Sequence, residues 1–175
     1  MRIFKYGKLF ETIYPNRTWS KSTNEKVIYL TFDDGPVPEA TPFVLDELKK
    51  VNAKATFFIV GDNALKHPEV YNQVISNGHR IGNHTMNHTK GSECRSQDYI
   101  ENVQACEKLI GKDNNPKLFR PPYGKMTKEQ AKCIDAEIIM WSVLTYDFDE
   151  TFSAEACLKK AIELTKKGSI VLMHD

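Results

Sequence analysis

Several features that mark large classes of proteins are missing from this sequence of 175 residues. Its 24 basic and 23 acidic side chains leave a formal net charge of +1, so there is no electrostatic basis for binding nucleic acid or a strongly acidic partner. The four cysteines are scattered without a CxxC pair, and we interpret them as reduced or incidental. The sequence also has no P-loop and no GxGxxG motif, which disfavours phosphate chemistry.

Long apolar runs are absent as well. No window approaches transmembrane length, and the first twenty residues lack the unbroken apolar stretch and small-residue cleavage site of a signal peptide. Ile3, Phe4, Phe10 and Ile13 are instead spaced to line one face of a short helix. We therefore interpret residues 1–25 as a helical or irregular segment packed on the domain, with a membrane-surface anchor as the alternative.

What the sequence does contain, from residue 26 onward, is an alternation of short apolar runs with helical patterns. The predicted strands are 27–32, 54–60, 79–82, 117–120, 137–143 and 169–173. The predicted helices are 39–51, 67–77, 96–110, 127–136 and 153–167. Strands separated by helices pair in parallel, so we expect a single α/β domain, either an open sheet or a barrel. In such folds the functional residues lie where strands end.

Polar residues do follow the predicted strands. Asp33 and Asp34 come after the first strand, in TFDDGP, and two neighbouring carboxylates resist ionising together unless a cation is near. His84 and His88 follow the third strand, four positions apart, so they can share one face of a helical turn and grip one metal ion. An aspartate would complete a set of two histidines and one carboxylate. The structural alternatives are an Asx-turn and ordinary surface or core histidines.

Two further strand ends carry residues suited to catalysis. Arg120 precedes two prolines in RPPYG and can pair with a strand-end carboxylate, which keeps that carboxylate ionised. His174 ends the last apolar strand and is a candidate proton donor. The alternatives are a surface arginine in a proline-rich turn and a structural histidine.

Taken in order, the stretches TFDDGP at 31–36, HTMNH at 84–88, RPPYG at 120–124 and LMH at 172–174 resemble the motifs of a known family. That family is the polysaccharide deacetylases of the NodB-homology type, carbohydrate esterase family 4. The resemblance spans 27–175, so it implies that 26–175 is the deacetylase catalytic domain and that the fold is a distorted (β/α) barrel. It also implies a hydrolase that removes acetyl groups, above all N-acetyl groups, from a sugar polymer or oligosaccharide.

The same resemblance implies a cofactor, a partner and a set of residue roles. The cofactor is a divalent metal, usually Zn²⁺, with Co²⁺, Mn²⁺ or Ni²⁺ also compatible with a nitrogen and oxygen site. The partner is an acetylated glycan that contains N-acetylglucosamine. By resemblance, Asp33 is the base, His174 the acid and Arg120 the residue that orients Asp33. The implied metal ligands are Asp34, His84 and His88. The implied residues facing the oxyanion and the substrate are the Tyr123 backbone N–H, Leu172, Asp147 and Phe148.

This sequence departs from the family in the stretch LTYDF. Leu144 stands where the family places an aspartate that tunes the acid histidine, so we expect a weaker or shifted acid limb in the pH–rate profile, with Asp147 or Asp175 as possible substitutes. Leu144→Asp should then raise the apparent pKa of His174. The aromatic residues considered for stacking on sugar rings are Trp19, Tyr123, Trp141, Tyr146 and Phe148, although strand packing is the preferred interpretation of Trp141.

The count of six strands and the end of the chain at Asp175 predict a barrel that is incomplete at its C-terminal end, with one unpaired edge, as in a fragment. Two other functions stay open at this point. One is a catalytically weakened glycan-binding protein on the same fold. The other is a metal-dependent amidohydrolase or related hydrolase that acts on a non-sugar substrate.

Overall fold

The structure, a computed structural model, describes residues 5–6 and 8–175. It contains seven β-strands, β1 to β7: Tyr29–Asp33, Thr56–Ile59, Arg80–Asn83, Leu118–Phe119, Glu137–Ile138, Val143–Leu144 and Ile170–His174. The α-helices α1 to α7 are Lys8–Ile13, Thr41–Lys50, Gly61–Lys66, Pro68–Ser76, Ser96–Ile110, Lys128–Cys133 and Ala154–Leu164. Short 3₁₀ turns occur at Gly91–Glu93 and Pro122–Gly124.

All seven strands belong to one parallel sheet, in the order β5-β4-β3-β2-β1-β7-β6. The sheet curls into a half-barrel with helices outside it, which is the distorted (β/α) architecture expected. From β1 the chain adds β2 to β5 outward in one direction, then crosses to the opposite edge as β6 and returns to pair with β1 as β7. As a result the first and last strands, β1 and β7, lie side by side, with β6 as the edge strand beyond β7.

The predicted strand 137–143 is wrong as a single element. The structure divides it into β5 and β6, which lie at opposite ends of the strand order. Between them residues 139–142 carry the chain from one end of the sheet to the other, and their backbone groups pair with Thr18 and with Ile170. An apolar run predicts burial equally well for one strand or two, so its sequence pattern does not reveal the break.

The predicted helices are present with small changes at their ends. The helix predicted at 96–110 has those bounds, while the helix predicted at 127–136 ends at Cys133 and the one at 153–167 ends at Leu164. Helix α6 starts with a capping box, because Thr127 and Gln130 each bond the other's backbone N–H. The short helix α3 was not predicted.

Apolar side chains fill both faces of the sheet. Along β2, Phe58 belongs to an inner cluster with Phe119 and Leu172, while its neighbour Phe57 belongs to an outer cluster. The outer cluster packs against α2, α4 and α5 through residues such as Leu45, Val74 and Cys106. This alternation is the period of two that a strand imposes on its side chains. The inner face therefore holds the barrel interior and, at its carboxyl end, the polar residues.

The N-terminal segment packs on this inner cluster. Trp19 is only 4% exposed there, and the Thr18 backbone bonds Ile138 and Met140 at the β5 end of the sheet. The expected short helix is present as α1, where Phe10 packs against the cluster and Ile13 is exposed. Ile3 and Phe4 lie outside the described residues. None of the helices in the described part of the chain combines the length and the apolarity that crossing a bilayer requires.

Candidate active site

Asp33 and His174 lie opposite each other at the carboxyl ends of two neighbouring strands. They are register partners in the β1–β7 ladder, and the Asp175 N–H continues that ladder by donating to the Asp33 carbonyl. A strand places alternate side chains on one face, so Asp33 and Thr31 of β1 share the inner face with Leu172 and His174 of β7. The pairing of two distant segments thus brings the proposed base and the proposed acid to one rim.

Three side chains meet beside Asp33. The Asp34 Oδ1 atom lies 3.3 Å from His84 Nε2 and 3.0 Å from His88 Nε2, and the three ligand atoms are all within 4.8 Å of one another. Two atoms bound about 2 Å from one ion at a tetrahedral angle are separated by about 3.3 Å. The spacing of this cluster therefore fits a single divalent cation.

The two histidines converge through a loop and not through a helical turn, which corrects the sequence-based interpretation. Residues 84–88 follow β3 as irregular chain, with positive φ at Thr85 and His88. The ring of His84 is fixed because its Nδ1 lies 2.7 Å from the Arg120 carbonyl oxygen. That contact places the proton on Nδ1, so Nε2 keeps its lone pair for a cation.

Asp34 is the anionic member of the cluster. Its Oδ1 is buried and, among the residues that the structure describes, meets no N–H or O–H donor of hydrogen-bonding geometry, so a positively charged partner would stabilise it. Burial raises the pKa of Asp34, but the adjacent imidazoles of His84 and His88, when they are protonated, lower it by more and leave the pKa well below its usual range. A cation among these three side chains would satisfy the same demand for positive charge.

Arg120 is buried completely and holds Asp33. Its Nη1 donates to Asp33 Oδ1 at 2.6 Å and to Thr31 Oγ1 at 2.8 Å, while Nε and Nη2 donate to the carbonyls of Ile139 and Met140. Its guanidinium also lies 4.1 Å from the ring centroid of Phe58. The planar guanidinium, with its five N–H donors, suits this fixed set of acceptors. One of the acceptors is the Asp33 carboxylate, which is proposed to act as base.

His174 has a carboxylate partner despite Leu144. The Asp147 Oδ1 atom lies 2.8 Å from His174 Nδ1, and Asp147 Oδ2 accepts the His174 backbone N–H. Burial lowers the pKa of His174, but the hydrogen bond and charge of Asp147, with smaller contributions from Asp33 and Asp34, raise it overall. Both Asp147 oxygens are directed at His174, so this residue, expected to face the substrate, instead holds the proposed acid in place.

Asp175, the other carboxylate considered as a substitute, is used elsewhere. Its Oδ2 accepts a hydrogen bond of 2.6 Å from Thr41 Oγ1, and its carboxyl group packs against Gly35 so closely that a Cβ there would lie 2.5 Å from either oxygen. Gly35 directly follows Asp34. Asp175 therefore packs against the loop that carries the cluster and does not pair with the His174 ring.

A cleft of about 540 Å³ opens over these residues. Leu144 and Leu172, which are register partners in β6 and β7, contribute apolar surface beside His174. Phe148 packs edge-on against the His174 ring with centroids 5.0 Å apart, and the Tyr123 ring lies 4.7 Å from that of His88. Trp141 lines the cleft although it is largely buried, whereas Trp19 is a core residue outside the cleft lining.

Backbone strain is concentrated at this rim. The described residues include six non-glycine residues with positive φ, and five of them lie around the site: Asp34, Thr85, His88, Tyr123 and Tyr146. Such conformations each cost about 1–3 kcal/mol and persist where the surroundings impose them. Sequence motifs did not indicate one further cleft residue, Tyr6, because it precedes the stretch covered by the resemblance.

Comparison with known proteins gives the family. The sequence profile described as polysaccharide deacetylase matches residues 20–136. The chain belongs to the polysaccharide deacetylase family. A peptidoglycan-N-acetylglucosamine deacetylase of Bacillus cereus is 36% identical over 156 residues, which are 86% of this chain and 56% of that protein. The chain thus spans about half the length of this curated relative.

Solved structures of polysaccharide deacetylases have the same fold. The crystal structure of a peptidoglycan N-acetylglucosamine deacetylase superposes with a TM-score of 0.83 at 33% identity, covering 95% of this chain and 80% of the other. A pseudoenzyme of carbohydrate esterase family 4 from Bacillus anthracis gives a TM-score of 0.81 at 28% identity and covers 89% of this chain and 57% of the other. The fold thus occurs both in a named deacetylase and in a protein described as a pseudoenzyme.

Proposed function

We propose that this polysaccharide deacetylase family member is a metal-dependent hydrolase that removes N-acetyl groups from a glycan containing N-acetylglucosamine. The observation that carries the proposal is the meeting of Asp34, His84 and His88 at one point, with Asp33 and His174 at the adjacent strand ends. A divalent cation, Zn²⁺ before Co²⁺, Mn²⁺ or Ni²⁺, would supply Lewis-acid polarisation of the acetyl carbonyl and a lowered pKa for the attacking water.

Asp33 is the proposed general base. Arg120 binds its Oδ1, while its Oδ2 points toward the metal-ligand cluster and lies 3.8 Å from His84 Nε2. This arrangement leaves Oδ2 as the oxygen that takes the proton from the attacking water. Arg120 acts through Asp33 and is a positioning residue.

His174 is the proposed general acid. Asp147 binds Nδ1, so the opposite ring nitrogen is the one available to protonate the departing sugar amine, which is a poor leaving group without a proton. Leu144 and Leu172 offer an apolar surface for the acetyl methyl group. The Tyr123 backbone N–H is the proposed donor to the tetrahedral oxyanion, a contribution often worth about 3 kcal/mol.

The proposed substrate class rests on the cleft and on the relative. The B. cereus relative is named for N-acetylglucosamine in peptidoglycan, and the cleft of this chain is open and lined by aromatic rings, as a polymer segment requires. The glycan-binding alternative has less support, because this chain has the proposed base, the proposed acid with its carboxylate partner and a converging set of candidate metal ligands. None of the described residues that line the cleft specifically favours a non-sugar amide.

Acetate release from an N-acetylglucosamine oligomer tests the proposal directly. We expect release that is abolished by a chelator, restored by added Zn²⁺, and reduced by about 10²- to 10⁴-fold in Asp33→Asn. Asp46→Asn, a substitution on the exposed face of α2, is the matched control and should retain full activity. Oligomer binding without acetate release, in protein loaded with metal, would support the glycan-binding alternative instead.

A further inference from the structure

Tyr6 lines the cleft although it lies outside the region that matches the family profile, which begins at residue 20. Its backbone N–H donates to the Ser142 carbonyl at 2.9 Å, and Lys5 forms an antiparallel bridge with Val143 of β6. The next residue of β6 is Leu144, which also lines the cleft. The N-terminal segment is therefore joined to the cleft by backbone pairing.

The side chain of Tyr6 is held by other aromatic rings. It stacks on Trp19 with centroids 5.7 Å apart, and it meets Trp141 edge-on, also at 5.7 Å. Phe10 of α1 packs against it in an edge-on arrangement, with the ring centroids 5.0 Å apart. Trp19 and Trp141 are themselves buried, so they provide a fixed support. A ring supported on several sides has little conformational entropy left to lose on binding a ligand.

Tyr6 also fits into an aromatic rim that runs around the cleft. On one side of the rim, Tyr123 packs on His88, and Gly124 abuts the Trp141 ring so closely that a Cβ would lie 2.6 Å from it. On the other side, Tyr146 packs on Phe148 with centroids 5.7 Å apart. Tyr6 contacts Trp141. Burial is the main cause that raises the pKa of Tyr6, and the Tyr146 hydroxyl raises it further, so Tyr6 also lies close to Tyr146.

We propose that Tyr6 is a glycan-binding residue, whose ring contacts the apolar face of a sugar unit bound in the cleft. The proposal rests on the proposed function, since it names a residue of the same site. Aromatic side chains offer a rigid apolar surface with a polar edge, which suits a sugar ring with polar hydroxyls around an apolar face. The N-terminal segment then serves substrate binding as well as packing.

Tyr14 provides a matched control for this proposal. It belongs to the same aromatic group, 6.5 Å from Trp19, but it does not line the cleft. Tyr6→Ala and Tyr14→Ala each remove one phenol ring from the N-terminal segment, so both should lower Tm. Only Tyr6→Ala removes a ring that a glycan can touch.

With an N-acetylglucosamine tetramer, we expect Tyr6→Ala to raise KM by about five- to tenfold while kcat stays within about twofold, because the contact stabilises bound substrate and transition state alike. Tyr6→Phe should stay close to the parent protein, because it keeps the ring. Tyr14→Ala should leave KM unchanged. Equal KM values for Tyr6→Ala and Tyr14→Ala, in folded proteins, would overturn the proposal.

A binding measurement separates this proposal from the proposed function. Trp19 and Trp141 are the two tryptophans of the chain, and both contact Tyr6, so intrinsic fluorescence can follow titration with the same tetramer in an Asp33→Asn background. We expect Tyr6→Ala to raise the Kd for the tetramer by the same factor by which it raises KM. If the parent protein releases no acetate but Tyr6→Ala still raises the Kd for the tetramer, the deacetylase function is contradicted and the role of Tyr6 is supported. Equal Kd values with and without the Tyr6 ring would overturn the role of Tyr6 alone.

Discussion

Both oxygens of Asp147 bind His174, one at the ring Nδ1 and the other at the backbone N–H, and each of the two distances is 2.8 Å. A carboxylate that holds both the ring and the main chain of one histidine fixes its position and its tautomer together. The proposed acid is thereby oriented by a residue 27 positions earlier in the sequence, in the loop that follows β6. The Leu144 side chain instead contributes apolar surface to the cleft.

The Asp147–His174 contact predicts a change in pH dependence. Asp147→Asn removes the charge that raises the pKa of His174, so the imidazolium should lose its proton at lower pH. A general acid works only while protonated, so the alkaline limb of the pH–rate profile should move to lower pH by about one unit. Asp149→Asn, in the same loop but bonded to Thr151, should leave that limb in place. An unmoved limb in Asp147→Asn would rule out His174 as the titrating acid.

The ligand cluster predicts one metal ion per chain. Metal analysis after dialysis against Zn²⁺ should give a molar ratio near one in the parent protein. His88→Ala removes a candidate ligand itself, so the affinity for Zn²⁺ should fall by more than the roughly 10- to 100-fold loss that follows removal of a residue that only hydrogen-bonds a ligand. His67→Ala, at the start of α4, is the control and should bind as the parent does. Zn²⁺ should raise Tm in the parent and in His67→Ala. Metal bound equally well by His88→Ala would place the site elsewhere.

The buried Arg120–Asp33 pair predicts a large effect on stability. Arg120→Leu leaves the Asp33 carboxylate buried without its donor, which should lower the free energy of unfolding by about 3–5 kcal/mol. Lys117→Leu, three residues earlier, removes an exposed ion pair with Asp135 and should cost at most about 1 kcal/mol. Denaturant unfolding of both variants measures the difference. Similar losses in the two variants would show that Arg120 does little to hold Asp33.

Asp175 predicts that stability falls as pH rises. Burial, with added repulsion from Asp33 and Asp34, raises the Asp175 pKa from 3.8 to about 7, against opposing hydrogen bonds from Thr41 and Gly35. The folded state therefore binds a proton more tightly than the unfolded state, and the stability that this proton provides is lost between about pH 4 and pH 7. With a chelator present, Asp175→Asn should exceed the parent in unfolding free energy at pH 8 by on the order of 1 kcal/mol, and by less at pH 4. A difference that does not change with pH would contradict the raised pKa.

The local pattern of the chain was sufficient for most of the fold. Apolar runs and capping residues such as Ser153, which caps α7, are signals that a short window contains, so the major helices and most strands could be predicted. Parallel pairing then follows from the alternation of strands and helices, and it places the carboxyl ends of strands together. For that reason Asp33, Asp34, His84, Arg120 and His174 could be selected as candidate site residues from the sequence alone.

The tertiary structure alone decided the remaining features. The break between β5 and β6, the pairing of Asp147 with His174 and the entry of Tyr6 into the cleft all depend on segments far apart in the chain. Sequence periodicity reports which residues are buried, but it does not report which distant surface covers them. The curling of the sheet brings those surfaces together. This curling depends on the packing of the whole inner cluster and not on any one stretch of sequence.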